Sequence, residues 1–209
     1  MIDNFKQISD ILTFESEDDF YLVELIIRKK DHPENTESKS QQKIGEYWID
    51  SEGKLEKLEG EIKARCDFSR CRAYVNPSVK SYKKSCFAMM EKLLDRIKGE
   101  DYRKFYHSAV SAAASTGSRD NWWIIDVDTD FPEEKISKVR DELDKISREA
   151  RKGAQEEKHC IALKTPNGWH LLLKPFKMPD ILDGLGIPGV EVKKNASTVL
   201  YSPSFGGNA

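Results

Sequence analysis

The chain has 209 residues, 38% of them hydrophobic and 33% charged, a composition that describes a globular chain with a heavily solvated surface. Its formal net charge of −2 argues against coating nucleic acid by electrostatics alone. It argues less against an enzyme that holds a nucleotide through metal ions, because the metals supply positive charge locally. No apolar run approaches the roughly 20 residues that span a bilayer, and Met1-Ile2-Asp3-Asn4-Phe5 lacks the basic-then-apolar pattern of a secretory signal. A cytoplasmic location without a membrane partner is expected.

Residues 20–29 are rich in β-branched and aromatic side chains and predict a strand. Residues 31–43 are polar, contain Pro33 and read as a loop; residues 44–50 predict a second strand, closed by a turn at Ser51-Glu52-Gly53. The pattern then becomes helical. Cys66 and Cys71 are spaced more widely than a zinc knuckle and no second close pair follows, so reduced, partly buried thiols are expected. Across residues 78–98, Val79, Tyr82, Cys86, Met89, Met90, Leu93, Leu94 and Ile97 recur at spacings of three and four, predicting an amphipathic helix capped by Ser78. The basic residues Lys80, Lys83 and Lys84, and further on Arg103 and Lys104, read as solvated helix faces. Residues 101–114 predict another helix that fades into the small-residue run 111–118, which divides an N-terminal strand-helix module (1–115) from a second module (116–209).

The apolar run Trp122–Asp128 predicts a buried strand. A helix follows, opened by Phe131-Pro132-Glu133-Glu134, striped by Ile136, Val139, Leu143 and Ile146, and ended by Gly153. Residues 160–164 and 169–173 flank Thr165-Pro166-Asn167-Gly168, a strong hairpin signal. Residues 190–193 and 198–201 predict a further strand pair.

Side chains two apart on a strand share a face, so Asp126 and Asp128 point one way while Ile125 and Val127 point into the core. Two adjacent carboxylates repel and resist burial unless a cation is near. Hard oxygen ligands at this spacing suit Mg²⁺ or Mn²⁺. The bland alternative is a strand end entering an acidic loop, since Asp130 follows at the same period. His170 taken alone reads as a structural histidine, and Glu191 as an exposed acid beside Lys193.

The order of these groups carries a resemblance. Asp126-Val127-Asp128, then Thr165-Pro166-Asn167-Gly168-Trp169-His170, then Val190-Glu191-Val192 with Leu200-Tyr201-Ser202-Pro203-Ser204, resembles the three motifs of the archaeo-eukaryotic primase superfamily, in its primase-polymerase and phage or plasmid branches. The resemblance covers residues 121–204. It implies an α+β fold: an N-terminal α/β module joined to one resembling an RNA-recognition motif, built on a mixed or antiparallel sheet, the two forming one catalytic domain. It also implies that Asp126, Asp128 and Glu191 are catalytic metal ligands and that His170 contacts the nucleotide's phosphates. Lys193, on the face of Glu191, joins as a phosphate contact, with Ser118 and Arg119 as weaker candidates. The implied activity is template-directed nucleotidyl transfer with Mg²⁺ or Mn²⁺. Its partners would be nucleoside triphosphates, a single-stranded nucleic-acid template and a helicase or other replication protein. Glu191 stands where aspartate is common, and His170 directly follows Trp169. An inactive relative that binds nucleic acid or a protein partner, or a metal-dependent phosphodiesterase using the same acids, are the alternatives.

Overall fold

Alternation along one long strand sorts the whole molecule. In β2 (Asp19–Arg28), Tyr21, Val23 and Leu25 are buried against Phe5 and Ile8 of α1 (Phe5–Ser9) and Leu55, Ile62 and Cys66 of α2 (Glu52–Ser69). The intervening Glu24, Ile26 and Arg28 line a cleft, as side chains on the other face of the same pleat must. The computed structural model describes residues 1–32, 41–103, 105–116, 121–127, 133–150, 160–175 and 190–205; for Lys30, Glu133, residues 146–150, Val190 and Glu191 it describes the backbone alone. Ser118, Arg119, Asp128, the helix-opening Phe131-Pro132 and Gly153 lie outside the described residues.

The remaining elements, in chain order, are β1 (Ile2–Asp3), β3 (Gln41–Ile49), β4 (Arg72–Val75), β5 (Lys80–Ser81), α3 (Tyr82–Lys98), α4 (Phe105–Ala114), β6 (Trp123–Val127), α5 (Glu133–Ala150), β7 (Cys160–Thr165), β8 (Gly168–Leu173), β9 (Val190–Lys194) and β10 (Thr198–Ser202). Two antiparallel sheets result. The first runs β1-β10-β4-β2-β3 with β5 beside β2; the second runs β7-β8-β6-β9. The chain is thus α+β with antiparallel sheets and five α-helices among the described residues. No described helix is long and apolar enough to cross a membrane.

The second sheet has a dry side and a working side. Ile125, Val127, Leu171 and Leu173 pack with Ile136 and Leu143 of α5. Ile124, Leu163 and Leu172 on the opposite face join the core of the first sheet. The hairpin β7–β8 closes through Pro166-Asn167 with Thr165 opposite Gly168, and Gly168 adopts φ 154°, which a side chain would resist.

Three local expectations are corrected. Residues 190–194 and 198–202 do not pair with each other: β9 lies beside β6, while β10 lies between β1 and β4. The chain leaves one sheet for the other at Asn195, whose φ of 51° no regular strand allows. This crossover also carries a strand from beyond residue 116 into the sheet built by residues 1–115. Second, the helix capped at Ser78 begins later. Ser81 is the cap, accepting from Lys84 N at 3.1 Å, while buried Ser78 accepts from Trp122 N at 3.0 Å. Third, Lys80 is not a solvated basic residue: it is buried, donates to Thr116 O at 3.2 Å, and desolvation pulls its pKa down.

Cys66, Cys71 and Cys160 are buried and Cys86 is exposed, all as free thiols. Cys66 and Cys71 face one another after the left-handed turn at Arg70 that ends α2, and their mutual hydrogen bond together with burial raises the Cys66 pKa. Burial pushes the Cys160 thiol up to about 12.

Candidate functional site

Asp126 sits near the end of β6, a strand flanked on both sides in its sheet. Its register neighbours are His170 on β8 and Glu191 on β9, so three of the residues singled out by sequence occupy one row across the sheet. Lys193 follows two residues later, opposite Ile124. Because Ile124 and Leu172 face the first sheet, Asp126 and His170 face it too, and the cleft between the sheets is where they meet.

The Asp126 carboxylate is 12% exposed and both its oxygens face cationic or hydrogen-bonding nitrogen. His170 Nε2 lies 3.3 Å from Oδ1, and the Lys193 ammonium donates to Oδ2. The His170 contact first, then Lys193, holds the carboxyl well below the usual carboxylate range, against the opposing pull of burial. Asp126 is therefore ionised at neutral pH. On the other side of the imidazole, Nδ1 lies 2.8 Å from Oγ1 of Thr198, a fully buried residue of β10. With Nε2–H directed at the carboxylate, Nδ1 of a neutral ring accepts from the Thr198 hydroxyl.

Around this row the two sheets enclose a cleft of about 430 Å³. Its second-sheet side carries Asp126, His170, Lys193 and the turn residues Thr165 and Asn167; its first-sheet side carries Glu24, Arg28, Arg72 and Tyr74. Such a volume is that of a small-molecule site. Thr198, Arg28, Arg72 and Tyr74 are absent from the sequence-derived set. Nothing in their local spacing marks them: Arg28, Arg72 and Tyr74 reach the cleft, and buried Thr198 reaches His170, through strand pairing remote from the acid motif.

Asp126 meets the chemical demand of a hard divalent cation, an ionised oxygen ligand at a partly open cleft edge. Among the described residues no group of three or more His, Cys, Asp or Glu side chains converges as a metal site. Asp128 and the Glu191 side chain are not among them. The residues present thus fit such an ion in part: Asp126 directly, and Glu191 by its backbone position opposite Asp126.

Fold and site together define an α+β chain with an acid–histidine–lysine cluster in the cleft between two antiparallel sheets. No protein-family model, curated protein or solved structure matches the chain.

Proposed function

We propose that the chain is a primase-like, metal-dependent nucleotidyltransferase that adds nucleotides to a 3′-hydroxyl on a nucleic-acid template. The observation that supports it is the row Asp126–His170–Glu191 across the second sheet, with Lys193 bonded to Asp126, opening on a cleft of about 430 Å³. In this reading the second sheet with α5 plays the part of the module resembling an RNA-recognition motif, and the first sheet with α1 and α2 forms the opposing wall.

Asp126, Asp128 and Glu191 would hold Mg²⁺ or Mn²⁺. When bound, such ions increase the acidity of the 3′-hydroxyl and stabilise the charge on departing pyrophosphate. The hydroxyl oxygen forms a bond to the α-phosphorus, the α–β phosphoanhydride bond breaks, and the hydroxyl proton leaves to solvent. Lys193, beside the acids that would hold the metal, would neutralise phosphate charge. His170 is held at Nδ1 by Thr198, and Nε2, which faces Asp126, is the nitrogen that would turn to a phosphate oxygen when a nucleotide enters.

A second reading has its own support. Asp126 is already satisfied by His170 and Lys193, as a cleft that binds nucleic acid or a protein without chemistry would require. Incorporation of labelled nucleotide on a single-stranded template, with and without primer, in Mg²⁺ and in Mn²⁺, separates the two. Incorporation that is lost in Asp126→Asn supports the enzyme. Single-stranded binding with no incorporation under any condition supports the binding module.

A further inference from the structure

Among the described residues, charge pairing around the cleft leaves one cation over. Of the acids that line it, Glu24 is met by Lys43 at 3.1 Å, and Asp126 by Lys193 and His170. Arg28, on the opposite wall from Asp126, has no carboxylate partner among the described residues; its Nη1 donates to the Tyr74 hydroxyl at 3.1 Å. That neutral bond fixes the guanidinium without cancelling its charge. Beside Tyr74 on β4, Arg72 lines the same cleft while only 3% exposed. Its guanidinium pairs with Asp31 through Nη2 and lies over the Phe205 ring, and its buried Nε has no hydrogen-bond partner among the described residues. A buried N–H left unpaired is costly and calls for an acceptor that none of the described residues supplies. The matching orphan, Asp31 Oδ2, shows that the two side chains do not close into a two-bond fork.

We propose that Arg28, braced by Tyr74 and adjoined by Arg72, is a phosphate-binding subsite on the first-sheet wall, facing the Asp126 row on the second. A ligand that bridges the cleft is then held by phosphate at both walls: one group by Lys193 and His170, another by Arg28 with Arg72. The planar guanidinium offers phosphate oxygens several donors in fixed geometry, which a lone ammonium does not. The identity of the anion as phosphate rests on the nucleotidyltransferase reading; the existence of an anion subsite rests on Arg28, without a carboxylate partner among the described residues, and on the open Nε of Arg72. The phosphoryl group belongs either to a nucleoside polyphosphate or to a nucleic-acid backbone.

The test uses the full chain in the presence of a chelator, so that metal-held contacts are silent. Calorimetric titration with tripolyphosphate, and with a ten-nucleotide oligothymidylate lacking terminal phosphates, distinguishes the two sources. Wild type binds at least one probe. Arg28→Gln, which keeps a donor for Tyr74 but loses the charge, weakens that binding by about tenfold. Arg28→Lys falls between the two. Lys92→Gln, on the exposed side of α3 outside the cleft, binds as wild type. An effect confined to tripolyphosphate assigns the subsite to the nucleotide; one confined to the oligothymidylate assigns it to the backbone. Absence of binding to either probe, equal affinity of Arg28→Gln and wild type, or an equal loss in Lys92→Gln overturns the proposal. Circular dichroism and melting temperature establish that the variants are folded, and Arg28→Lys preserves the comparison where Arg28→Gln is not. Failure of the nucleotidyltransferase reading is seen separately, as absence of any response to Mn²⁺, a condition this titration does not use.

Discussion

His170 and Thr198 join the two sheets: Nδ1 of a histidine on β8 lies 2.8 Å from the buried hydroxyl of a threonine on β10. Because Nε2 of the same ring faces Asp126, the orientation of the candidate phosphate contact is fixed from the sheet that carries neither Asp126 nor Lys193. Replacing Thr198 by valine keeps shape and removes the hydroxyl. The ring nitrogen is then left without its partner, at a cost of roughly 1–3 kcal/mol measurable by urea unfolding. Nitrogen-15 shifts of the imidazole should show a changed tautomer balance, and nucleotide incorporation should fall by about tenfold while Mn²⁺ binding persists. Unchanged imidazole shifts would rule out this orienting role.

Acid should loosen the site through Asp126. Its native pKa lies below the ordinary 3.8, so the native state holds the proton less tightly than the unfolded chain does. The stabilisation is complete above the ordinary value and is lost as pH falls through the lower native value. A wild-type minus Asp126→Asn difference in melting temperature isolates this group from other carboxyls. That difference should be flat from pH 7 to about pH 5 and shrink below about pH 4. A difference that stays constant down to pH 2 would mean that the His170 and Lys193 contacts do not depress the carboxyl in solution.

Much of the second sheet was legible because its signals are local. Strand alternation in 123–127 separates Asp126 from Ile125 and Val127, and the turn residues 165–168 define a hairpin whose register brings His170 opposite Asp126. Beyond that reach the signals fail for physical reasons. Period-two patterning marks a strand but not its neighbour, so β9 and β10 read as a pair although one crossover separates them. The short β4, buried throughout, has no alternation for burial to reveal, and Arg72 and Tyr74 were invisible with it. Helical periodicity in 78–98 is real, yet Phe87, Met90, Leu94 and Ile97 on α3 are exposed, since an apolar stripe does not state that something covers it. Cap residues carry the same ambiguity: Ser78 and Ser81 are equally good N-caps by type, and only the pairing of Lys80 with Phe20 decides between them.

That choice of cap is itself testable. Ser81 accepts from Lys84 N and also donates to Asp18, which accepts in turn from Lys83 N at 2.8 Å, so two amides of the first turn of α3 are satisfied by this pair. Ser81→Ala removes one cap and leaves Asp18 without its hydroxyl partner. A loss of about 1–2 kcal/mol in denaturant unfolding is expected, at the upper part of the range for a lost cap. Asp18→Asn should cost less, because its side-chain oxygen still accepts. Ser81→Ala with wild-type stability would mean that Ser81 contributes nothing as a cap.

Lys193 competes with any cation that Asp126 would bind. Its ammonium donates to Oδ2 and is about one-third exposed, at 38%, so it can be displaced at modest cost. Removing it frees the oxygen. Lys193→Gln should therefore tighten Mn²⁺ binding by about three- to tenfold, allowing for solvent screening of the lost pair. The same change deletes a phosphate contact, so nucleoside triphosphate affinity should fall by about tenfold when measured at saturating Mn²⁺. The two affinities moving in opposite directions is the signature of a lysine that trades a carboxylate for a phosphate as the site loads. A purely structural lysine would lower both by disturbing Asp126, and a melting curve shifted in parallel would identify that case. Mn²⁺ affinity that is unchanged or weaker in folded Lys193→Gln would remove Asp126 from the set of metal ligands, and with it the catalytic assignment of the whole row.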